Sequence, residues 1–150
     1  MKTTIDVLLK EKSSNVYCIH PEDSVYEGAV KMAAANIGAL LVMDGPDILG
    51  IFTERDVLTK VIAKGYDPQQ VAIADVMTHI VVCVSLDTTT EEAMSIMTDK
   101  RIRHLPVMDR GELVGLVSIG DVTKWLSTVH LRQTQEIDEL IHYIHGGYSA

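Results

Sequence analysis

No stretch of this 150-residue sequence approaches the roughly 20 consecutive apolar residues that a membrane helix requires. The opening Met1-Lys2-Thr3-Thr4-Ile5-Asp6 has no apolar run ahead of a small-residue cleavage site, so no secretory signal is expected. Cysteine is scarce: Cys18 and Cys83 make no disulfide scaffold and suit a reducing cytoplasm. Aromatic residues are only 5% of the chain, so a core must be built from Val, Ile, Leu, Met and Ala. Positive charge is in deficit, with 13 Lys and Arg against 21 Asp and Glu. The resulting formal charge of −8 argues against a general nucleic-acid binder, which needs a positive face. What is present is ordinary for a globular chain: 47% hydrophobic residues, in a length that suits one domain or two small halves sharing a core. A cytoplasmic domain is expected, with neither a membrane nor nucleic acid as partner.

The chain is written twice. Sliding it by 65 positions aligns residues 16–61 with 81–126 without a gap, and about a dozen positions are identical in that register. Ile37-Gly38-Ala39-Leu40-Leu41-Val42-Met43-Asp44 falls on Ile102-Arg103-His104-Leu105-Pro106-Val107-Met108-Asp109. Gly50-Ile51-Phe52-Thr53-Glu54-Arg55-Asp56-Val57 falls on Gly115-Leu116-Val117-Ser118-Ile119-Gly120-Asp121-Val122. Two copies of so long a period make a pseudo-symmetric pair rather than a solenoid.

Within each copy the hydrophobic pattern changes period in the same order. Residues 16–19 and 81–84 are β-branched runs of strand length. Ser24 and Thr89 can cap the helices that follow, where Val25, Ala29, Met32 and Ala33, and then Ala93, Met94, Met97 and Ile102, recur at helical spacing. Residues 39–43 with 48–52, and 105–108 with 113–117, flank turn residues and read as hairpins. A second helix opens at Thr53 and at Ser118, the latter running towards His145 and stopped by Gly146-Gly147. Each half is β-α-β-β-α and too small to bury much alone. Residues 5–9 and 73–77 read as short helical lead-ins. The expected organisation is 1–64 as the first repeat with its N-terminal helix, 65–72 as linker, 73–127 as the second repeat, and 128–150 as helix extension and tail.

A hydroxyl at a helix start sits among free backbone N–H groups at the positive end of the dipole, which is a ready anion site. Asp56 and Asp121 follow Thr53 and Ser118 by one turn, so each carboxylate lies beside its hydroxyl and can accept both vicinal hydroxyls of a ribose. The competing reading is a capping box in which the acid only closes on the backbone. Two copies at equivalent places, each after a Gly-led apolar strand, favour a nucleoside-phosphate cradle. Arg103 and His104, beyond the end of a helix, can hold phosphate oxygens, while Lys100 and Arg101 complement the helix dipole. The first copy has Gly38-Ala39 there instead, with Arg55 and Lys60 as local compensation, so the two cradles should differ in ligand.

Catalytic constellations are not found in the sequence: it has no Gly-x-Gly-x-x-Gly after a strand, no P-loop, no Gly-x-Ser-x-Gly and no His-Glu-x-x-His. His142 and His145, even with Glu139, offer a metal too few ligands on one helix face. Cys18 and Cys83 align in the repeat and read as small apolar residues on inner strands, and the methionines as core.

The paired blocks, residues 50–56 with 115–121 and 37–44 with 102–109, resemble a tandem of cystathionine-β-synthase (CBS) domains, a Bateman module. That resemblance implies an α+β fold (α/β in broader schemes) of two β-α-β-β-α repeats about a pseudo-twofold axis. It implies a non-catalytic regulatory module that binds adenosine nucleotides between the repeats. AMP is foremost; ADP, ATP, S-adenosylmethionine and NAD(H) are the family's other ligands, and no metal is required. By the same resemblance Asp56 and Asp121 would hold ribose, Thr53 and Ser118 phosphate or ribose, and Arg103 and His104 phosphate. Adenine would stack near Ile37, Ile80 and Leu105, with Gly38, Ala39, Arg55, Thr78 and Pro106 completing the nucleotide-binding set. A homodimer through the last helices, with Trp125 at the contact, and an unknown regulated protein are the implied partners. The alternative is a protein-interaction or thiol-partner regulator with vestigial sites.

Overall fold

The computed structural model describes residues 2–12, 15–79 and 82–146. Two three-stranded sheets carry the two repeats. In the first, β1 (Cys18–Ile19) runs parallel to β2 (Ala39–Asp44), which pairs antiparallel with β3 (Asp47–Thr53). In the second, β4 (Val84–Ser85), β5 (His104–Asp109) and β6 (Glu112–Ser118) repeat that order. The registers coincide under the 65-residue shift: Ile19 opposes Val42 as Val84 opposes Val107, and Ala39 opposes Thr53 as His104 opposes Ser118. Both hairpins even carry the same irregularity, after Val42 and after Val107.

Strands β1 and β4 are shorter than their β-branched runs. Tyr17 still accepts a bond from Leu41 N–H at 3.0 Å, but Val16 and Tyr17 leave the ladder to line a cleft. The equivalent bond cannot form in the second sheet, because Pro106 stands where Leu41 does and has no N–H.

The helices between strands form where their caps dictate. Ser24 and Thr89 each close a capping box, with Glu27 and Glu92, opening α2 (Val25–Ala35) and α5 (Thr90–Lys100). Both helices end on a left-handed residue, Asn36 and Arg101. After β3, α3 (Glu54–Asp56) widens into a π-helical segment, Val57–Ile62, in which Ala63 N–H bonds Leu58 O at 2.9 Å. After β6, α6 (Ile119–Gly146) continues for 28 residues.

Alternation along the strands serves two cores at once. Leu40, Val42 and Phe52 face the helices of the first repeat with Val25, Met32 and Val61. Ala39, Leu41 and Ile51 point the other way, where Leu113 and Leu116 of the second sheet pack on them. The sheets therefore meet face to face, and β2 reads as an unbroken apolar run because both its faces are covered.

The lead-in helices are exchanged. Helix α1 (Ile5–Glu11), which precedes the first repeat, places Ile5 and Leu8 in the core of the second with Ala93, Met97, Val107 and Val122. Helix α4 (Ile73–Val76), which precedes the second, places Ile73 and Val76 in the core of the first. Backbone bonds fix both: Ile5 N–H to Thr88 O and Ile73 N–H to Asp23 O, each 2.8 Å. Sequence order groups α1 with residues 1–64, whereas its packing partner is the other half. Linker residues are stitched to the first repeat, with Val25 N–H on Val71 O at 2.9 Å and Tyr26 N–H on Pro68 O at 3.0 Å. No helix among the described residues is long and apolar enough to cross a membrane.

Candidate functional site

Both Ser/Thr-x-x-Asp blocks form capping boxes. In the first repeat, Asp56 Oδ2 accepts Thr53 N–H at 3.0 Å, and Asp56 N–H bonds Thr53 Oγ1 at 3.3 Å. In the second, Asp121 Oδ2 accepts Ser118 N–H at 2.9 Å, and Asp121 N–H bonds Ser118 Oγ at 3.1 Å. The first turn of each helix is also tied to the loop before the neighbouring strand, by Glu54 N–H on Gly38 O (3.1 Å) and Ile119 N–H on Arg103 O (2.8 Å).

The two carboxylates differ in what else they do. Asp56 is only 6% exposed, and its Oδ1 is 2.9 Å from Lys60 Nζ, one turn along the same helical run. Lys60 in turn donates to Val76 O at 2.8 Å, so both Asp56 oxygens are engaged and the pair also anchors α4. The position of Lys60 is taken in the second repeat by Trp125, which packs against that repeat's core. The cation for Asp121 comes instead from beyond α1: Lys12 Nζ lies 2.7 Å from Asp121 Oδ2 and 3.0 Å from Leu116 O. Asp121 makes its described bonds through Oδ2, which leaves Oδ1 to accept from elsewhere, and its side chain is 25% exposed.

Asp121 opens onto a cleft of about 460 Å³ between the repeats. Lys12, His104, Leu116, Ser118 and Asp121 form one wall; Asn15, Val16, Tyr17, Ala35, Ile37, Gly38 and Ala39 form the other. Six of the residues singled out from sequence are thus brought together: Ile37, Gly38, Ala39, His104, Ser118 and Asp121. Thr53, Arg55, Asp56 and Thr78 are not part of that lining; Thr78 exchanges backbone bonds with Ile51 at 2.8 and 2.9 Å, beside β3. Leu105 and Pro106 are buried, Arg103 is exposed, and Ile80 lies outside the described residues. Lys12, Asn15, Val16, Tyr17, Ala35 and Leu116 carry no site assignment from sequence. The only available signal was position: Tyr17 within the first β-branched run, and Ala35 and Leu116 inside the aligned repeat.

Electrostatics in the cleft follow from burial and from Lys12. Burial lowers the pKa of His104, against the opposing pull of Asp121, and the positive charges of Lys12 and Arg103 lower it further. Burial alone would raise Asp121, but the Lys12 bond and the Ser118 N–H outweigh it and hold the carboxyl below its ordinary value. At neutral pH the cleft therefore presents one cation, one anion and an uncharged imidazole beside apolar walls. Of the two cysteines, Cys18 is half-buried with its Sγ 3.4 Å from Met43 Sδ, whereas Cys83 is exposed rather than buried. Partial desolvation by neighbouring atoms raises both thiols, away from reactivity. No group of three or more metal-ligating side chains occurs among the described residues.

The architecture has known counterparts. The CBS domain family matches twice, over residues 8–63 and 73–128. The mitochondrial CBS domain-containing protein CBSX3 of Arabidopsis thaliana is 36% identical over 156 residues, covering 97% of this chain and 74% of that one. Among solved structures, the CBS domain NE2398 is 44% identical with a TM-score of 0.77, covering 83% of this chain and 97% of that one. The CBS-domain containing protein ATU1752 of Agrobacterium tumefaciens is 41% identical with a TM-score of 0.76, covering 81% and 98%. Two matched domains in tandem, on a fold with two equivalent sheets, mean that this chain belongs to the CBS-domain family and is a CBS pair, a regulatory module.

Proposed function

We propose that the cleft takes an adenine nucleotide, AMP ahead of NAD(H) or ATP, and that its occupancy is the signal this module passes to a partner protein. One observation carries the reading: Ser118, Asp121 and His104 of the second repeat face Ile37, Gly38 and Ala39 of the first across a single cleft. Its volume falls within the 300–1,000 Å³ range usual for small-molecule sites. Asp121 Oδ1 has the capacity to accept ribose hydroxyls. Lys12 and His104 supply donors for a phosphate, and Tyr17, Val16, Ile37 and Leu116 supply apolar surface for a purine. A single cation in the lining favours a monophosphate. Asp56 has neither oxygen to spare, so the first-repeat set of Thr53, Arg55, Asp56 and Thr78 binds more weakly, and one nucleotide per chain is expected.

A phosphate held by Lys12 draws it away from Asp121 Oδ2, and Lys12 follows directly on α1, so ligand in the cleft bears on how α1 holds the second repeat. A signal requires this difference in affinity between two arrangements. Calorimetric titration with AMP, ATP and NADH tests it, backed by native mass spectrometry for co-purifying nucleotide. The expected result is saturable heat and a raised melting temperature with AMP. Neither heat nor a melting shift at millimolar concentrations of any of the three would sink the reading.

A further inference from the structure

A second, smaller cavity of about 170 Å³ lies between α1 and α6. Helix α1 contributes Leu8 and Glu11 to its lining, α6 contributes Lys124 and Trp125, and the Lys12–Asp121 pair is shared with the larger cleft. The first repeat shows why there is space here. Ile5 N–H bonds Thr88 O as Ile73 N–H bonds Asp23 O, so Leu8 stands where Val76 does in the other half. In the first repeat the Lys60 side chain spans that place, with Nζ 2.9 Å from Asp56 Oδ1 and 2.8 Å from Val76 O. In the second, α1 runs on past Leu8, whose carbonyl takes Lys12 N–H at 3.1 Å, and Trp125 replaces Lys60. The bridging side chain is gone, and the cavity lies where it would run.

The lining is electroneutral but not fully paired. Lys12 and Asp121 answer each other at 2.7 Å. Glu11 and Lys124, one from each helix, are exposed and form no ion pair with each other or with any other described residue. A carboxylate and an ammonium held apart across one small cavity suit a ligand that carries both charges. Trp125 adds a second unmet need: its Nε1 is buried without an acceptor, whereas a buried indole N–H ordinarily has one. No hydrogen bond fixes the ring where it lies, so it is free to turn to an acceptor that a ligand brings. The indole and Leu8 offer apolar surface beside the charges. The volume is below the roughly 300–1,000 Å³ of sites for drug-sized molecules, which leaves room for a small metabolite and not for a second nucleotide.

We propose that this cavity binds a small aliphatic α-amino acid as its zwitterion. The α-carboxylate lies on Lys124 and accepts from Trp125 Nε1–H, the α-ammonium lies on Glu11, and the side chain packs on Leu8 and the indole. A purely anionic ligand would meet Glu11 with like charge, and a purely cationic one would meet Lys124 in the same way. Nucleotide binding is not required, so this reading and that of the cleft stand or fall separately.

Trp125 is the chain's one tryptophan, so its fluorescence reports this cavity directly. The test titrates the full-length, nucleotide-free chain with L-leucine and with L-valine, following fluorescence and melting temperature. A saturable fluorescence change and a raised melting temperature are expected with one or both. Leucine without its carboxylate (isoamylamine) and leucine without its ammonium (isocaproate) should each bind at least about tenfold more weakly, since each forfeits a charge-assisted bond. Glu11→Gln and Lys124→Gln alter only exposed side chains, so an unchanged melting temperature of the free protein checks the fold, and each should weaken the amino acid by a similar factor. No change in either signal with either amino acid at tens of millimolar overturns the proposal. Equal binding of the amine or the carboxylate alone overturns it too, as does an amino-acid affinity unaltered in either variant.

Discussion

Lys12 Nζ lies 2.7 Å from Asp121 Oδ2, bridging residues 109 positions apart, whereas the equivalent carboxylate, Asp56, takes its cation from Lys60 four residues along its own helical run. One pair is part of a cleft wall; the other is internal scaffolding. From that asymmetry comes the expected behaviour of Lys12→Met. It removes the one cation that lines the cleft among the described residues, so AMP should bind roughly ten- to a hundredfold more weakly, in line with about 1.5–3 kcal/mol for a charge-assisted bond. Adenosine, lacking the phosphate, should change by less than about twofold because the loss falls on the phosphate contact. Parallel calorimetric titrations of the two ligands would read the ratio, and equal losses would remove Lys12 from phosphate binding.

The two aspartates should separate just as clearly. Asp121→Asn should abolish most AMP binding while melting within a few degrees of wild type. Asp56→Asn should leave AMP affinity nearly intact but destabilise the fold by roughly 1–3 kcal/mol, since Lys60 loses its buried partner and the Thr53 cap is weakened. Paired melting curves and titrations decide it. Loss of AMP binding in Asp56→Asn at full stability would shift the site to the first repeat.

Much of this was legible because the residues repeat. The hairpins, the caps and the long last helix follow from alternation, Ser/Thr before acidic residues, and the apolar stripe ending at Gly146. The exchange of α1 and α4 was not legible, because Asp6-Val7-Leu8 and Asp75-Val76-Met77 fit either half equally well by pattern. Only three-dimensional proximity, such as Leu9 against Gly115, distinguishes them. The cleft was half legible for the same reason: Ser118 and Asp121 sit in the repeated block, but Lys12 belongs to a segment whose partner is the other repeat. The capping-box alternative for Thr53 and Asp56 also describes their bonds well, since sequence spacing cannot reveal that Lys60 occupies the remaining carboxylate oxygen.

His104 should make both stability and binding depend on pH. Its folded pKa is depressed by burial, so the unfolded chain takes up a proton first, near the ordinary value of about 6.5. Stability is therefore whole above that pH and falls on acidification through it. Asp121, whose pKa is also depressed, loses its contribution only in a lower window, as pH falls below the ordinary carboxylate value. The melting temperature should drop less between pH 7.5 and 5.5 (roughly one unit either side of the ordinary histidine value) in His104→Gln than in wild type. A phosphate beside the imidazole favours its charged form, so AMP binding at mildly acidic pH should take up a proton. Calorimetry in buffers of different ionisation enthalpy detects that uptake, and its persistence in His104→Gln would assign it elsewhere.

Glycines 50 and 115 occupy equivalent strand positions and test the lead-in exchange directly. A Cβ at Gly50 would stand 2.6 Å from the backbone oxygen of Thr78, which is held against β3 by two bonds and cannot withdraw alone. At Gly115 the nearest atoms are the methyl ends of Leu9, at 2.9 Å, which can rotate away. Gly50→Ala should therefore cost about 1–3 kcal/mol, the usual range for overpacking, and Gly115→Ala distinctly less. Denaturant unfolding of the two variants measures the difference. If Gly115→Ala were the more damaging, Leu9 would have to be locked in place, and α1 would be a rigid part of the second repeat rather than one held by an adjustable side-chain contact.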